Sequence, residues 1–349
     1  MTLLSASSYL SLSTYNDERY LFTRQSFFLI VGIIIMIIIS MINYKIYFKF
    51  SKIFYYASNI LCIITLLLGQ GRGGSNRWIQ ISIITLQPSE ILKISIILFL
   101  ISYLVKNINT IDKKEVLIKY FAYGLIPAGL IAINNLSTGI IIAFISLFLY
   151  FIVSKKYKQF IILIIVMILI YIFAYPLASL LEKLSILKDY QLERIFVWKD
   201  PINYSDKSYQ TMQGLYAIGR GSFFGKGVGE SLQKILLPEA QNDMIFAILC
   251  EEHGLFGAFS LISLYIIAIF RMYIISINAK DIYGALLSFG IMIHISLQAI
   301  FNIAVVTNLL PNTGITLPFV SYGGSSLIIM SFEIGVVLSI SRYEKQSIY

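Results

Sequence analysis

The chain has 349 residues, 58% of them hydrophobic and 13% charged, with a mean hydropathy of +0.80. A water-soluble domain of that length cannot hide so much apolar surface in one core, so a soluble globular fold is excluded. The formal charge of +9 reads as positive-inside topology rather than as nucleic-acid binding, and two histidines argue against a His-rich metal site.

Met1 to Ser13 is moderately apolar, too short to span, and without the basic region of a signal peptide. It reads as the outer half of a helix whose beginning is missing. Full spans are expected near residues 27–43, 53–69, 89–105, 119–134, 138–153, 160–177, 244–270, 284–306 and 326–340. Their many Ile and Val residues would suit strands in water, but lipid offers the backbone no partners, so helices are expected. Cys62 and Cys250 fall inside spans as packing thiols. The loops on one side carry Lys45, Lys49, Lys52, Lys106, Lys113, Lys114, Lys119, Lys155, Lys156, Lys158, Arg271, Lys280, Arg342 and Lys345. The other side has Arg19, Arg24, Arg72, Arg77 and Lys93 in its short loops and span ends. This bias puts the first set and the C-terminus in the cytoplasm. Residues 178–243 form one long outer loop, in which short surface helices are expected, for example over 209–219.

Four polar clusters fall on the outer side. In GQGRGGSNRWIQI (69–81) and QPSEILK (87–93), Arg77 and Lys93 can meet phosphate oxygens, Pro88 can open a helix, and Ser89 and Glu90 then occupy its first turn; an ordinary loop is the competing reading. NNLSTG (134–139) reads as a capped turn. In the long loop, the glycine-rich run 219–229 carries Arg220 and Lys226 but lacks the spacing of a nucleotide P-loop. Asp243 follows in LPEAQNDMIFAI (237–248), at the start of a span, where helix cap and catalytic carboxylate are equally open. The segment NLLPNTGITLPFVSYGGSSLI (308–328) interrupts a span with two prolines and three glycines, the kind of backbone that lines a site. Glu251, Glu252 and Glu333 lie inside spans and demand partners, with their roles left open.

The pieces SNRWIQI, QPSEILK, YQTMQGLYAIGRGSFFGKGVG, LPEAQNDMIFAILCEEHG and LLPNTGITLPFVSYGGSS, in this order with spans between them, resemble the SEDS family (shape, elongation, division and sporulation), which includes FtsW, RodA and SpoVE. The run GVGESLQKILLPEAQND sides with FtsW. The resemblance covers nearly the whole chain as a single integral membrane domain, 1–349. It implies an all-α, polytopic ten-helix bundle in the bacterial cytoplasmic membrane, both ends cytoplasmic, with 178–243 as its large extracytoplasmic loop. A ten-helix member needs a first span that Met1 to Ser13 does not supply, so the start reads as shortened by about a dozen residues or more. Where the family carries Gln-Pro-Asp-Leu-Gly-Thr, this chain has Ile133, Asn134, Asn135, Leu136, Ser137 and Thr138, without the carboxylate.

The activity implied is a peptidoglycan glycosyltransferase that polymerises lipid II, an undecaprenyl-pyrophosphate-linked disaccharide peptide, outside the membrane during division or elongation. The implied partners are a class B penicillin-binding protein transpeptidase and other divisome or elongasome membrane proteins. The family's essential acid falls on Asp243, assigned as general base. Arg77, Lys93, Arg194, Lys226 and Arg220 are the candidate pyrophosphate contacts, and Gln213, Glu239, Ser321, Tyr322 and Ser325 the further substrate contacts. No cofactor is required by the sequence, although a divalent cation, Mg2+ or Mn2+, would suit a leaving pyrophosphate. Two competing readings are a lipid II flippase and a non-catalytic scaffold for a cell-wall synthase.

Overall fold

The computed structural model describes residues 1–72, 75–81, 84–154, 157–183 and 189–343. Lys155, Lys156 and Lys345 of the basic loop set lie outside them. The described chain is helical apart from one small sheet. In order come α1 (Thr2–Tyr15), α2 (Tyr20–Met41), α3 (Lys45–Leu68), strands β1 (Gln70–Arg72), β2 (Ser75–Ile81) and β3 (Ile84–Leu86), α4 (Pro88–Lys106), α5 (Lys114–Ala132) and α6 (Leu136–Ser154). Then follow α7 (Tyr157–Ile172), α8 (Ala174–Lys183), α9 (Asp189–Lys199), α10 (Ser205–Gly221), α11 (Gln233–Leu236), α12 (Ile245–Asn278), α13 (Ile282–Val306) and α14 (Gly324–Arg342).

Eight of these helices are long and apolar enough to cross a bilayer, at the expected places: α2 to α6 and α12 to α14. The ninth expected span, 160–177, is a bent pair, with α7 and α8 meeting at 74°. Pro176 explains the bend, because it has no N–H to offer the Ile172 carbonyl four residues back and its ring crowds that carbonyl. The long loop contains α9, α10 and α11, and α10 covers the expected 209–219 helix. The first polar cluster is not a plain loop. SNRWIQI forms the middle strand of an antiparallel sheet, with Trp78 opposite Gln70 and Ile79 opposite Leu86.

The helices gather into two compact units. The first comprises Met1–Leu21, Lys155–Leu261 and Ile300–Ser321; the second comprises Phe22–Ser154, Ile262–Ala299 and Tyr322–Tyr349. In the second unit α4 is central and buried over most of its surface, with Ile96, Ile97, Leu100, Ile101 and Leu104 fully buried. On its loop side, Asp281 accepts a hydrogen bond from the Tyr44 hydroxyl at 2.9 Å and pairs with Lys45 at 3.1 Å. This ties the α2–α3 turn to the α12–α13 turn.

In the first unit the glycine-rich loop is wedged into a break in α12. Gly254 sits at φ 64°, ψ −164°, outside helical geometry. An unbroken helix would join the Leu255 N–H to the Glu251 carbonyl and the Phe256 N–H to the Glu252 carbonyl. Instead the Lys226 N–H takes the Glu251 carbonyl at 2.9 Å and the Gly227 N–H takes that of Glu252 at 3.0 Å. The N–H groups of Leu255 and Phe256 donate to the carbonyls of Ser222 and Phe223, at 3.0 and 3.1 Å. Loop and helix thus satisfy each other's main chain. A side chain at Gly254 would lie 2.4 Å from the Gly225 nitrogen and from the Phe223 carbonyl oxygen.

Gly254→Ala is therefore expected to destabilise the protein by about 1–3 kcal/mol from backbone strain alone, read as a lower unfolding temperature of the detergent-purified chain. Gly219→Ala, where an added carbon meets nothing within 4 Å, should leave that temperature unchanged or raise it.

Candidate functional site

Asp243 lies in the turn just before α12, with its side chain buried at 8% exposure. The interrupted segment 308–321 packs beside it. Gly314 adopts φ +70°, and a carbon added there would sit 3.7 Å from Asp243 Oδ2, so the backbone passes directly by the carboxyl. Asn302 of α13 donates to the Asp243 carbonyl and to the Ile315 carbonyl, each at 2.7 Å. The Ser321 hydroxyl donates to the Asn242 carbonyl at 2.5 Å and accepts the Leu317 N–H at 2.7 Å. Two helices of the long loop hold the same segment: the Trp198 indole donates to the Asn308 carbonyl at 3.0 Å, and the Asn312 amide to Gln210 Oε1 at 2.7 Å.

The main chain at 242–243 is thus well anchored, while the carboxyl is not. Asp243 Oδ1 is buried without a hydrogen-bond partner. Burial pushes its pKa from 3.8 up to about 7, helped by the nearby Glu239 charge; a bond from its own main-chain N–H and the Arg194 charge pull the other way. An oxygen serving as a helix cap would have a donor. The environment instead suits a carboxyl that exchanges a proton near neutrality.

Glu239 is exposed in a left-handed turn (φ 55°), where its carboxylate accepts from the Asn242 amide. Arg194, on α9, is exposed. Gln213 is half-buried on α10, one residue before Gly214, whose added carbon would meet Met244 Sδ at 3.7 Å. Arg220 turns to Glu251 at 3.5 Å, and the Lys226 side chain is exposed at the wedge. Glu251, left open from the sequence, accepts the Ser231 hydroxyl at 2.5 Å and the Gln233 N–H at 3.2 Å; Glu252 accepts the Gly229 N–H at 3.0 Å. Both acids hold the glycine-rich loop.

The remaining candidates belong to the second unit. Arg77, on β2, donates from Nε to the Asn134 carbonyl at 2.8 Å. Lys93 is buried, paired with Glu90 at 2.8 Å and bonded to Gln298 Oε1 at 2.9 Å, so its charge is already answered within the protein. Glu333 has the partner its burial demands: His294 Nδ1 at 2.9 Å. Ser325 is buried in the first turn of α14, and Tyr322 precedes that helix. Asn135 caps α6, its side-chain oxygen accepting the Thr138 N–H at 3.2 Å, a task an amide performs as well as a carboxylate. Asn302 was missed by sequence reasoning; its signal was a carboxamide inside a span, shared there with Gln298. Among the described residues no three His, Cys, Asp or Glu side chains gather as metal ligands.

Residues 1–346 match the cell cycle protein family FTSW_RODA_SPOVE. Stage V sporulation protein E of Bacillus subtilis is 34% identical, over 95% of this chain and 89% of its own length. The probable peptidoglycan glycosyltransferase FtsW of Coxiella burnetii is 33% identical, over 99% and 93%. Among solved structures, a chain from a peptidoglycan synthase complex that coordinates polymerization and crosslinking superposes with a TM-score of 0.78 at 21% identity, over 99% of this chain and 97% of that one. The rod shape determining protein RodA of Thermus thermophilus gives 0.66 at 21% identity, over 99% and 96%. These likenesses show a shared fold.

Two outcomes follow from the packing of Asp243. Asn302→Leu strands two buried carbonyls and should lower stability by about 1–3 kcal/mol for each, measured by thermal unfolding. Because the folded pKa of Asp243 lies above 3.8, the folded state binds the extra proton, and stability falls as pH rises from about 4 through about 7. Asp243→Asn should remove this slope, making the variant the more stable of the two at pH 8 but not at pH 4.

Proposed function

The chain belongs to the FtsW/RodA/SpoVE family of cell cycle proteins, and we propose that it is a peptidoglycan glycosyltransferase that polymerises lipid II on the outer face of the cytoplasmic membrane, with Asp243 as general base. The observation that carries this reading is the buried carboxyl of Asp243, whose Oδ1 has no hydrogen-bond partner; burial raises its pKa to about 7. A sugar hydroxyl is a weak nucleophile. A base with a pKa close to ambient pH combines a large ionised fraction with enough basicity to take the proton as the bond forms.

In the proposed step the 4-hydroxyl oxygen of the acceptor sugar bonds to the anomeric carbon of the growing strand. Its proton passes to the Asp243 carboxylate. The bond from the anomeric carbon to the pyrophosphate oxygen breaks, and its electron pair leaves with undecaprenyl pyrophosphate. Arg194 on α9 and Lys226 in the glycine-rich loop are exposed and are assigned to the phosphates of the substrate. Arg220, held by Glu251, shapes the loop instead. Lys93, answered by Glu90 and Gln298, is assigned to holding α4 against α13.

The distribution of Lys and Arg supports an extracytoplasmic Asp243 and a cytoplasmic C-terminus. The relative from a synthase complex that couples polymerization to crosslinking supports a penicillin-binding transpeptidase as partner.

Purified chain, residues 1–349, supplied with lipid II and a class B penicillin-binding protein, should make glycan strands resolvable by length. Asp243→Asn should stay folded and make none; normal polymer from this variant would remove Asp243 from the chemistry. Movement of labelled lipid II across vesicles without polymer would favour a flippase. The wild-type rate should fall about tenfold per pH unit below about 7, and a rate flat down to pH 5 would contradict the base assignment.

A further inference from the structure

The main-chain bonds that seat the glycine-rich loop in the break of α12 also fix the depth of its side chains. Phe223 is level with Phe256, whose N–H donates to the Phe223 carbonyl at 3.1 Å. Lys226 is held at Glu251, on the Asp243 side of the break, by its N–H bond to the Glu251 carbonyl at 2.9 Å. Beyond the break, Leu255–Phe270 carries no charge. Its 16 helical residues rise about 24 Å, less than a hydrocarbon core of about 30 Å. Leu255 and Phe256 therefore lie inside the hydrocarbon, and Phe223 lies there with them. The loop meets that level with two rings turned away from the protein: Phe223 is 71% exposed and Phe224 88%. Bonds on both flanks, at Phe223 and at Lys226, fix the main chain that carries Phe224. Phe256 and Phe259 on the helix are exposed as well, so the loop continues an apolar surface that already belongs to a membrane span.

We propose that the tip of the glycine-rich loop is a membrane anchor: the Phe223 and Phe224 rings sit among phospholipid acyl chains of the outer leaflet, and the exposed Lys226 ammonium reaches the head-group phosphates above them. The order of the residues matches the order of the leaflet, with apolar rings at the level of the span and the cation toward the surface. A leaflet supplies both the apolar layer and the anions in that order, without any partner side chain. The anchor keeps the loop seated in the break of α12, where the main-chain groups of Glu251, Glu252, Leu255 and Phe256 would otherwise face lipid unpaired. The inference rests on the membrane-spanning fold and not on the glycosyltransferase reading.

The test uses the purified chain, residues 1–349, in phosphatidylcholine–phosphatidylglycerol vesicles with no partner present, and places tryptophan at one loop position at a time. Emission from Trp78 and Trp198 is removed by subtracting that of the unsubstituted chain. Phe224→Trp should emit at the short wavelengths of an apolar environment. It should lose most of that emission to phospholipid brominated on its acyl chains and keep it against iodide present on both sides of the bilayer. Phe223→Trp should behave in the same way and decides the matter if Phe224→Trp does not fold. Lys226→Trp should show the reverse, with iodide the stronger quencher. Iodide as the stronger quencher at position 224 overturns the anchor. Protection from iodide that arises only when a class B penicillin-binding protein shares the vesicle overturns it in favour of a protein partner. Bromine quenching as strong at 226 as at 224 overturns the placement of Lys226 at the head groups. No lipid II is present, so a failure of Asp243 as the base leaves every one of these readings unchanged.

Discussion

The proposed chemistry depends on a carboxyl group placed where water is scarce, with one of its two oxygens left without a donor. Desolvation disfavours the charge on Asp243, and Oδ1 has no hydrogen bond to offset it. Two polar side chains beside it bond the main chain instead: both N–H groups of the Asn302 amide go to carbonyls, and the Ser321 hydroxyl goes to the carbonyl of Asn242. The fold therefore holds the acid in position while burial outweighs the groups that favour its ionised form. A cap or a salt bridge at the same place would have fixed the position equally well and driven the pKa down.

The same economy of backbone groups explains the break in α12. A helix of 34 residues is about 51 Å long, well beyond a bilayer core of about 30 Å. Opening it at Gly254 leaves an apolar stretch from Leu255 to Asn278 to span, and frees four main-chain groups. The loop 222–227 supplies their complements, and Glu251 and Glu252, costly inside an apolar helix, become the side chains that tie down the glycine-rich run. Gly254 and Gly225 are needed because both main chains approach too closely for a side chain.

Hydropathy made the spans legible, since lipid leaves the backbone no alternative to helix and the periodicity of side chains hardly matters. Hydropathy could not show the bend at Pro176, a local steric event inside an apolar run. The sheet around SNRWIQI was hidden by the glycines before it, although Arg77-Trp78-Ile79-Gln80-Ile81 contains a polar–apolar alternation that a strand requires. At the site, the 308–328 segment was visible because prolines within a span break a strong rule, whereas Asp243 read equally as a helix cap and was singled out by the family resemblance. Lys93 looked like an available cation because its partners, Glu90 three residues back and Gln298 on another helix, only meet it in the fold. Asn302 was not singled out, because its amide joins residues 243 and 315 only in the fold.

The central claim is a protonation state, and the most direct measurement is the titration of Asp243 itself. Infrared difference spectra of the purified chain, taken across pH and compared with Asp243→Asn, isolate the carbonyl stretch of one protonated carboxylic acid. The account predicts that this band persists well above pH 5 and disappears with a midpoint near 7. A midpoint at or below 4, the range of a solvated aspartate, would contradict it.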